Sequence, residues 1–181
     1  MYWPTKGSVN TAATVEAALS RARELGLRHI VVASCSGATA EHFIGAGLDI
    51  VCVTHQVGFE SSGVDEMPPE TRARLRQAGI KVLTATHLLA GLDRALRFKF
   101  GGVYPAEIVA AVFRMFGQGL KVCVEISSMA LDAGLIPFGA DVVAVAGTAS
   151  GADTAVVITP AHSQHFFDGK IREIICKPRD F

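Results

Sequence analysis

The chain has 181 residues, half of them apolar and 19% charged, with 17 basic residues against 17 acidic ones. That composition excludes a disordered chain, and zero formal charge without a basic run removes the electrostatic footprint of a nucleic-acid binder. No apolar run reaches the roughly 18 residues of a membrane span, and the four cysteines form no C-x-x-C.

Nothing reads as a secretory signal, so a reducing, cytoplasmic setting without disulfides or structural zinc is expected. A near-neutral surface on so apolar a chain favours self-association, which points to a homo-oligomer.

Residues 1–9 read as irregular, because Pro4 and Gly7 interrupt them, with Tyr2 and Trp3 as a hydrophobic lid. Asn10 or Thr11 then caps a helix to about Leu25. Val15, Ala18, Leu19, Ala22 and Leu25 share one face, and Gly26 stops it. The apolar, β-branched run 30–33 predicts a fully buried strand, followed by Ser34-Cys35-Ser36-Gly37 and a short helix from Thr39 to Gly45. A second buried strand covers 50–54. The polar, aperiodic stretch 55–69 has a length that marks functional loops, with Gly58 and Gly63 as hinges if it closes over a ligand.

A charged helix over 70–78 starts at Pro68-Pro69, and a third strand over 81–86 leads through His87 into an amphipathic helix ending near Leu96. After a glycine-rich aromatic segment, 98–104, Pro105 opens a helix to about Phe116 that Gly117 and Gly119 end. The run 121–126 predicts a fourth strand, with Ser127 capping a helix over 129–133. A fifth strand over 141–146 precedes the small-residue turn 147–154 and the apolar run 155–159. Residues 171–176 read as a last, edge strand. This alternation predicts one α/β domain over 1–181: a doubly wound, mostly parallel sheet with helices on both faces.

In such a sheet ligands bind beyond the carboxyl ends of the strands, and small, hydroxyl or imidazole residues collect there. The five predicted ends carry Ser34 to Gly37, Thr54-His55, Thr86-His87, Glu125 to Ser128, and Gly147-Thr148. The first end has the makings of a phosphate cradle. Turn and helix N–H groups converge, the helix dipole adds positive charge, and Ser34, Ser36 and Thr39 offer hydroxyls while Gly37 permits close approach. An ordinary strand–helix turn with a serine cap fits the same residues. His55 and His87 read either as loop or cap residues or as a pair that binds phosphate, contacts a ring or acts as acid and base near neutral pH. As metal ligands they lack a third partner, so no metal is expected. The turn before Asp153 either wraps a ligand or joins two strands; it carries no dinucleotide or triphosphate fingerprint.

Cys35, flanked by small residues, also has the form of a nucleophile elbow, with a thiol acidified at a helix N-terminus and His162 or His165 as partner.

Taken together, NTAATVEAAL, VVASCSGATA, VTHQVGF, TATH, FGGVYPAEI, RMFGQGLKVCVEI, DAGLIP, GADTAVVI and FFDGKIREIICKPR resemble the carboxy-terminal domain of pyruvate kinase and, over almost the whole chain, its stand-alone relatives in archaea and bacteria. The catalytic barrel of pyruvate kinase is absent, so kinase activity is not implied. The resemblance implies bound flavin mononucleotide (FMN). Its ribityl phosphate would lie in the cradle of Ser34, Cys35, Ser36, Gly37, Ala38 and Thr39, near Asn10 and Thr11. Thr54, His55, Thr86, His87, Gly147, Thr148 and Asp153 would surround the rest, with Met129 or Phe116 against the ring. The expectation is therefore an FMN-binding protein, with flavin-dependent oxidoreduction as one use of the site. The alternatives are a non-catalytic sensor of a phosphorylated metabolite and a Cys35-dependent hydrolase.

Overall fold

The computed structural model describes residues 1–181. Seven strands form one sheet: β1 (Tyr2–Thr5), β2 (His29–Ala33), β3 (Asp49–Thr54), β4 (Lys81–Thr84), β5 (Val142–Ala146), β6 (Thr154–Thr159) and β7 (Lys170–Asp180). Their order is β1-β7-β6-β5-β2-β3-β4. All pairs are parallel except β5–β6 and β6–β7. The helices are α1 (Thr11–Glu24), α2 (Ala38–Glu41), α3 (Pro69–Gln77), α4 (Gly91–Phe100), α5 (Pro105–Arg114) and α6 (Gln118–Asp132).

β2, β3 and β5 are apolar without interruption because both faces are covered. Ile30, Val32, Ile50, Cys52, Val143 and Val145 pack on one side with Val15, Ala18 and Ala22 of α1 and Leu75 of α3. Val31, Val51, Val53, Val142 and Ala144 pack on the other with Leu120, Cys123, Ile126 and Ala130 of α6. Each valine, leucine or isoleucine among them contributes about 1.5–3 kcal/mol by burial, so the three central strands are the fixed frame from which the loops project.

Several elements differ from the sequence-based expectations, each for an identifiable reason. The first residues are not irregular: β1 pairs with β7, Trp3 opposite Pro178. Pro4 is tolerated because β1 is an edge strand, where a missing N–H breaks no ladder. Trp3 does pack against the core, whereas Tyr2 is exposed. For the same reason β7 is not an edge; it lies between β6 and β1 and extends to Asp180.

The largest correction concerns 118–132. The expected strand over 121–126 and helix over 129–133 are one helix, α6, in which every residue from Gly119 to Leu131 except Val122 is buried. A helix enclosed on all sides has no polar stripe, so its sequence shows no 3.6-residue period. Ser127 is inside it and donates to the Cys123 carbonyl at 2.7 Å instead of capping a helix. Gly119 is what lets α6 lie so close to the sheet, since a Cβ there would stand 2.2 Å from Thr154 Oγ1.

Smaller differences follow from loop chemistry. α2 stops at Glu41, β4 stops at Thr84, and the helix expected through Leu96 begins at Gly91 and runs to Phe100. α4, α5 and the turns beside them leave Leu92, Phe98, Phe100, Ile108, Val112 and Met115 exposed. No helix is long and apolar enough to cross a membrane.

Candidate ligand-binding site

A cavity of about 780 Å³ opens beyond the carboxyl ends of β2, β3 and β5. This is the topological switch point, because the chain leaves β2 toward β3 and β4 and later returns to β5 on the other side of β2. Its wall is built from the 3-10 turn before α1 (Ser8) and the first residue of α1 (Thr11), the end of β2 and the β2–α2 turn (Ala33, Ser34, Cys35, Ser36, Ala38, Thr39), His42, His55, Glu66, the start of α6 (Gln118, Val122) and the turn after β5 (Gly147, Ala149, Ser150, Gly151). No lysine or arginine lines it. Three helices thus present their N-termini to one space, and neither α1 nor α6 has a side-chain cap or an acidic residue in its first turn. Their N–H groups and dipoles favour negative charge there, while Glu66 is the one carboxylate on the wall.

The cradle is partly self-satisfied. Ser34 Oγ accepts from the Thr39 and Ala40 N–H groups at 3.1 and 3.4 Å, so Ser34 ties down α2 and leaves Ser36 as the freer hydroxyl. Gly37 is left-handed (φ 92°), and a Cβ on it would meet Thr71 Cγ2 at 2.4 Å. It shapes the turn against α3 and does not line the cavity. The second turn is as tightly held. Asp153, fully buried, accepts from the Gly7 and Thr148 N–H groups at 2.9 and 3.1 Å and from Thr154 Oγ1 at 2.8 Å. Thr11 Oγ1 accepts from the Ala152 N–H at 3.0 Å. Ala149 pays for this fold with a left-handed backbone (φ 65°).

Of the residues singled out from sequence, Thr11, Ser34, Cys35, Ser36, Ala38, Thr39, His55 and Gly147 come together on the cavity wall. The others lie elsewhere. Asn10 donates to the Thr5 and Gly7 carbonyls and braces the chain entering α1. Thr54 is buried and bonds Thr84 Oγ1 at 2.8 Å. Thr86 and Thr148 stand off the wall, the latter with a buried hydroxyl that has no protein partner. Met129 is in the core, and Phe116 is half-exposed beyond α5. Neither lines this cavity.

His87 faces a different structure. Its Nδ1 lies 3.2 Å from Glu125 Oε2 and its Nε2 lies 3.2 Å from the Thr54 carbonyl. Glu125, expected at a strand end, is instead fully buried within α6, where it also pairs with Lys121 and accepts from the Leu89 N–H at 2.7 Å. Burial would push its carboxyl up, but the His87 hydrogen bond and the Lys121 ammonium outweigh that and hold it near about 2. Burial lowers Lys121 despite the Glu125 charge.

Cys35 does not carry the acidified thiol expected at a helix start. Burial pushes it up to about 11, the Glu66 and Glu60 charges add to this, and a hydrogen bond from the His55 backbone only partly opposes it. Nor do His162 and His165 approach it. β6 runs antiparallel to β5, so Thr159 lies beside the β5 start and residues 160–165 sit at the opposite edge of the sheet. There His162 bonds Asp132 at 2.8 Å.

Ser8, His42, Glu66, Gln118 and Ser150 are wall residues that the sequence reading did not single out. Gln118 was hidden by the misread start of α6. A search for an acidic partner of His55 within the following loop would have found Glu66, whose Oε1 is 2.8 Å from His55 Nδ1.

A family model described as pyruvate kinase, alpha/beta domain, matches residues 12–158. Among solved structures, the chain is similar to a pyruvate kinase from Cryptosporidium parvum at 16% identity and a TM-score of 0.42, over 83% of this chain and 23% of that one. It is likewise similar to the Cryptosporidium parvum pyruvate kinase in complex with ADP at 15% identity and a TM-score of 0.41, over 81% and 22% of the two chains. The chain spans less than a quarter of the length of these pyruvate kinases.

Proposed function

The chain belongs to the pyruvate kinase alpha/beta domain family, and we propose that its carboxyl-edge cavity binds a phosphorylated small molecule, with FMN as the occupant. The observation that carries this reading is the convergence of the N-termini of α1, α2 and α6 on a wall of hydroxyls that contains no lysine or arginine. Such a wall suits a phosphate held by N–H and O–H donors. The cavity volume of about 780 Å³ lies within the about 300–1,000 Å³ typical of small-molecule sites. The Ser36 hydroxyl and the backbone of 35–38 would hold the phosphate, and the rest of the molecule would lie toward His55, Val122 and the 147–151 turn. FMN, when bound, supplies electron and hydride transfer, and the protein supplies its orientation.

The test is to mix purified protein with FMN, pass it through gel filtration and record the visible spectrum. Flavin absorption that co-elutes with wild type and is lost in Ser36→Glu, which brings a repelling charge into the cradle, supports the reading. A colourless wild-type peak contradicts it.

A second reading, a non-catalytic sensor of a phosphorylated metabolite, is favoured by one feature. Neither Met129 nor Phe116 reaches the cavity, so its apolar wall consists of small residues and Val122. A smaller, more polar ligand such as a sugar phosphate suits that wall. Competition of such a compound against FMN separates the two.

The exposed apolar residues of α4 and α5 support self-association. Sedimentation velocity of Phe98→Glu and Ile108→Glu should show smaller species than wild type.

A further inference from the structure

We propose that Cys35, His55 and Glu66 form a binding site for a zinc-class divalent cation, with its fourth position open to the cavity. The three side chains come from separate segments: the β2–α2 turn, the end of β3 and the loop before α3. Yet one thiol sulfur, one ring nitrogen and one carboxylate oxygen lie within 4.8 Å of one another. All three line the cavity and are partly buried. The imidazole is held in place on several sides. Nδ1 is 2.8 Å from Glu66, the ring stacks on Phe59 at 3.7 Å between centroids, and the His87 ring meets its edge at 5.3 Å. Arg94 covers Phe59 in turn at 4.9 Å.

The donor set decides the metal. A sulfur, a nitrogen and one carboxylate oxygen do not suit magnesium or calcium, which require oxygen cages, but do suit zinc and its borderline neighbours. Three protein ligands beside an open cavity match the arrangement in which zinc keeps an exchangeable water or substrate oxygen. Zinc bonds of about 2.0–2.3 Å place neighbouring donors about 3.5 Å apart, so closure needs movements of about 1 Å, which side-chain torsions supply. Charge also balances: the cation binds the Cys35 sulfur, the thiol proton leaves to solvent, and thiolate plus carboxylate neutralise the two positive charges. The two-histidine reading of the sequence lacked a third ligand because it paired His55 with His87. The structure ties His87 to Glu125 and sets Glu66 and Cys35 beside His55.

The site does not depend on which phosphorylated molecule occupies the cavity, and its test is run without one. Full-length protein stripped with EDTA and free of flavin is titrated with Co²⁺ and followed by absorption. One equivalent should bind, with a thiolate-to-cobalt charge-transfer band in the near ultraviolet that Zn²⁺ removes by displacement. Cys35→Ser should abolish that band, and His55→Gln and Glu66→Gln should each weaken binding at least about tenfold. His162→Gln, at the opposite sheet edge, should leave binding unchanged. Absence of the charge-transfer band in wild type overturns the proposal whatever the variants do, as does Co²⁺ uptake indifferent to Cys35→Ser. FMN retention measured in EDTA is a separate readout, so failure of either site is recognised without the other.

Discussion

His55 and His87 follow the adjacent parallel strands β3 and β4, each comes directly after a threonine, and their ring centroids are 5.3 Å apart. Their surroundings nevertheless differ in kind. His87 turns inward to a fully buried carboxylate on α6, and its other nitrogen meets the Thr54 carbonyl. His55 faces the cavity beside Cys35, paired with a loop carboxylate that is itself partly exposed. One imidazole holds the scaffold together; the other borders the carboxyl-edge cavity. What separates them is the element that supplies the acid, a packed helix in one case and an aperiodic loop in the other.

The largest expected effect is on the scaffold side. Lys121→Met leaves Glu125 buried without its ammonium partner and should cost about 3–5 kcal/mol in denaturant unfolding. The acid response has the corresponding sign. The folded carboxyl of Glu125 lies near about 2, below the ordinary carboxylate value. Its contribution is therefore fully present above the ordinary value and is lost as pH falls toward about 2. Thermal unfolding from pH 6 to pH 2 should show a steep loss of stability in wild type and a flatter profile in Glu125→Gln.

On the cavity side, the Cys35 thiol at about 11 against an ordinary value of 9.0 implies about a hundredfold less thiolate at pH 8. Iodoacetamide should alkylate it about a hundredfold more slowly than a free thiol, a result that would also remove a thiolate-based hydrolase from consideration. A pair of truncations then sets the two histidines against each other. His87→Ala should destabilise by about 1–3 kcal/mol, because it strips a hydrogen bond from a buried carboxylate. His55→Ala should cost under about 1 kcal/mol, since its hydrogen bond to Glu66 is part-exposed. Equal losses would erase the distinction. The smallest effect concerns the strained turn: Ala149→Gly should raise stability by about 1 kcal/mol, read as a higher melting temperature.

The same contrast explains what the sequence disclosed. β2, β3 and β5 were legible because strands buried on both faces are continuous apolar runs, and their carboxyl ends delivered Ser34, Cys35, Ser36, His55 and Gly147 to the cavity wall. α6 was not legible, because burial on all sides erased its helical period. With it went Gln118 as a wall residue and Glu125 as a core carboxylate rather than a rim residue. β1 was obscured by Pro4, whose effect depends on whether a strand is at an edge, a fact of topology that no local pattern carries. Thr54 and Thr86 looked equivalent to the serines of the cradle, yet Thr54 closes a hydrogen bond between β3 and β4. Hydroxyl chemistry at a strand end shows where a site can be, and only packing shows which hydroxyls are free.

The most direct test of the central claim is a fluorescence titration of the protein with FMN and, separately, with riboflavin, which lacks only the phosphate. Charge-assisted hydrogen bonds to an anion contribute about 1.5–3 kcal/mol each, so loss of the phosphate should weaken binding at least about tenfold. FMN binding tighter than riboflavin by that margin is the result the account predicts, because the phosphate then supplies the binding energy that the helix N-termini and hydroxyls would give it. Equal affinity for both, or no binding of FMN, would contradict the account.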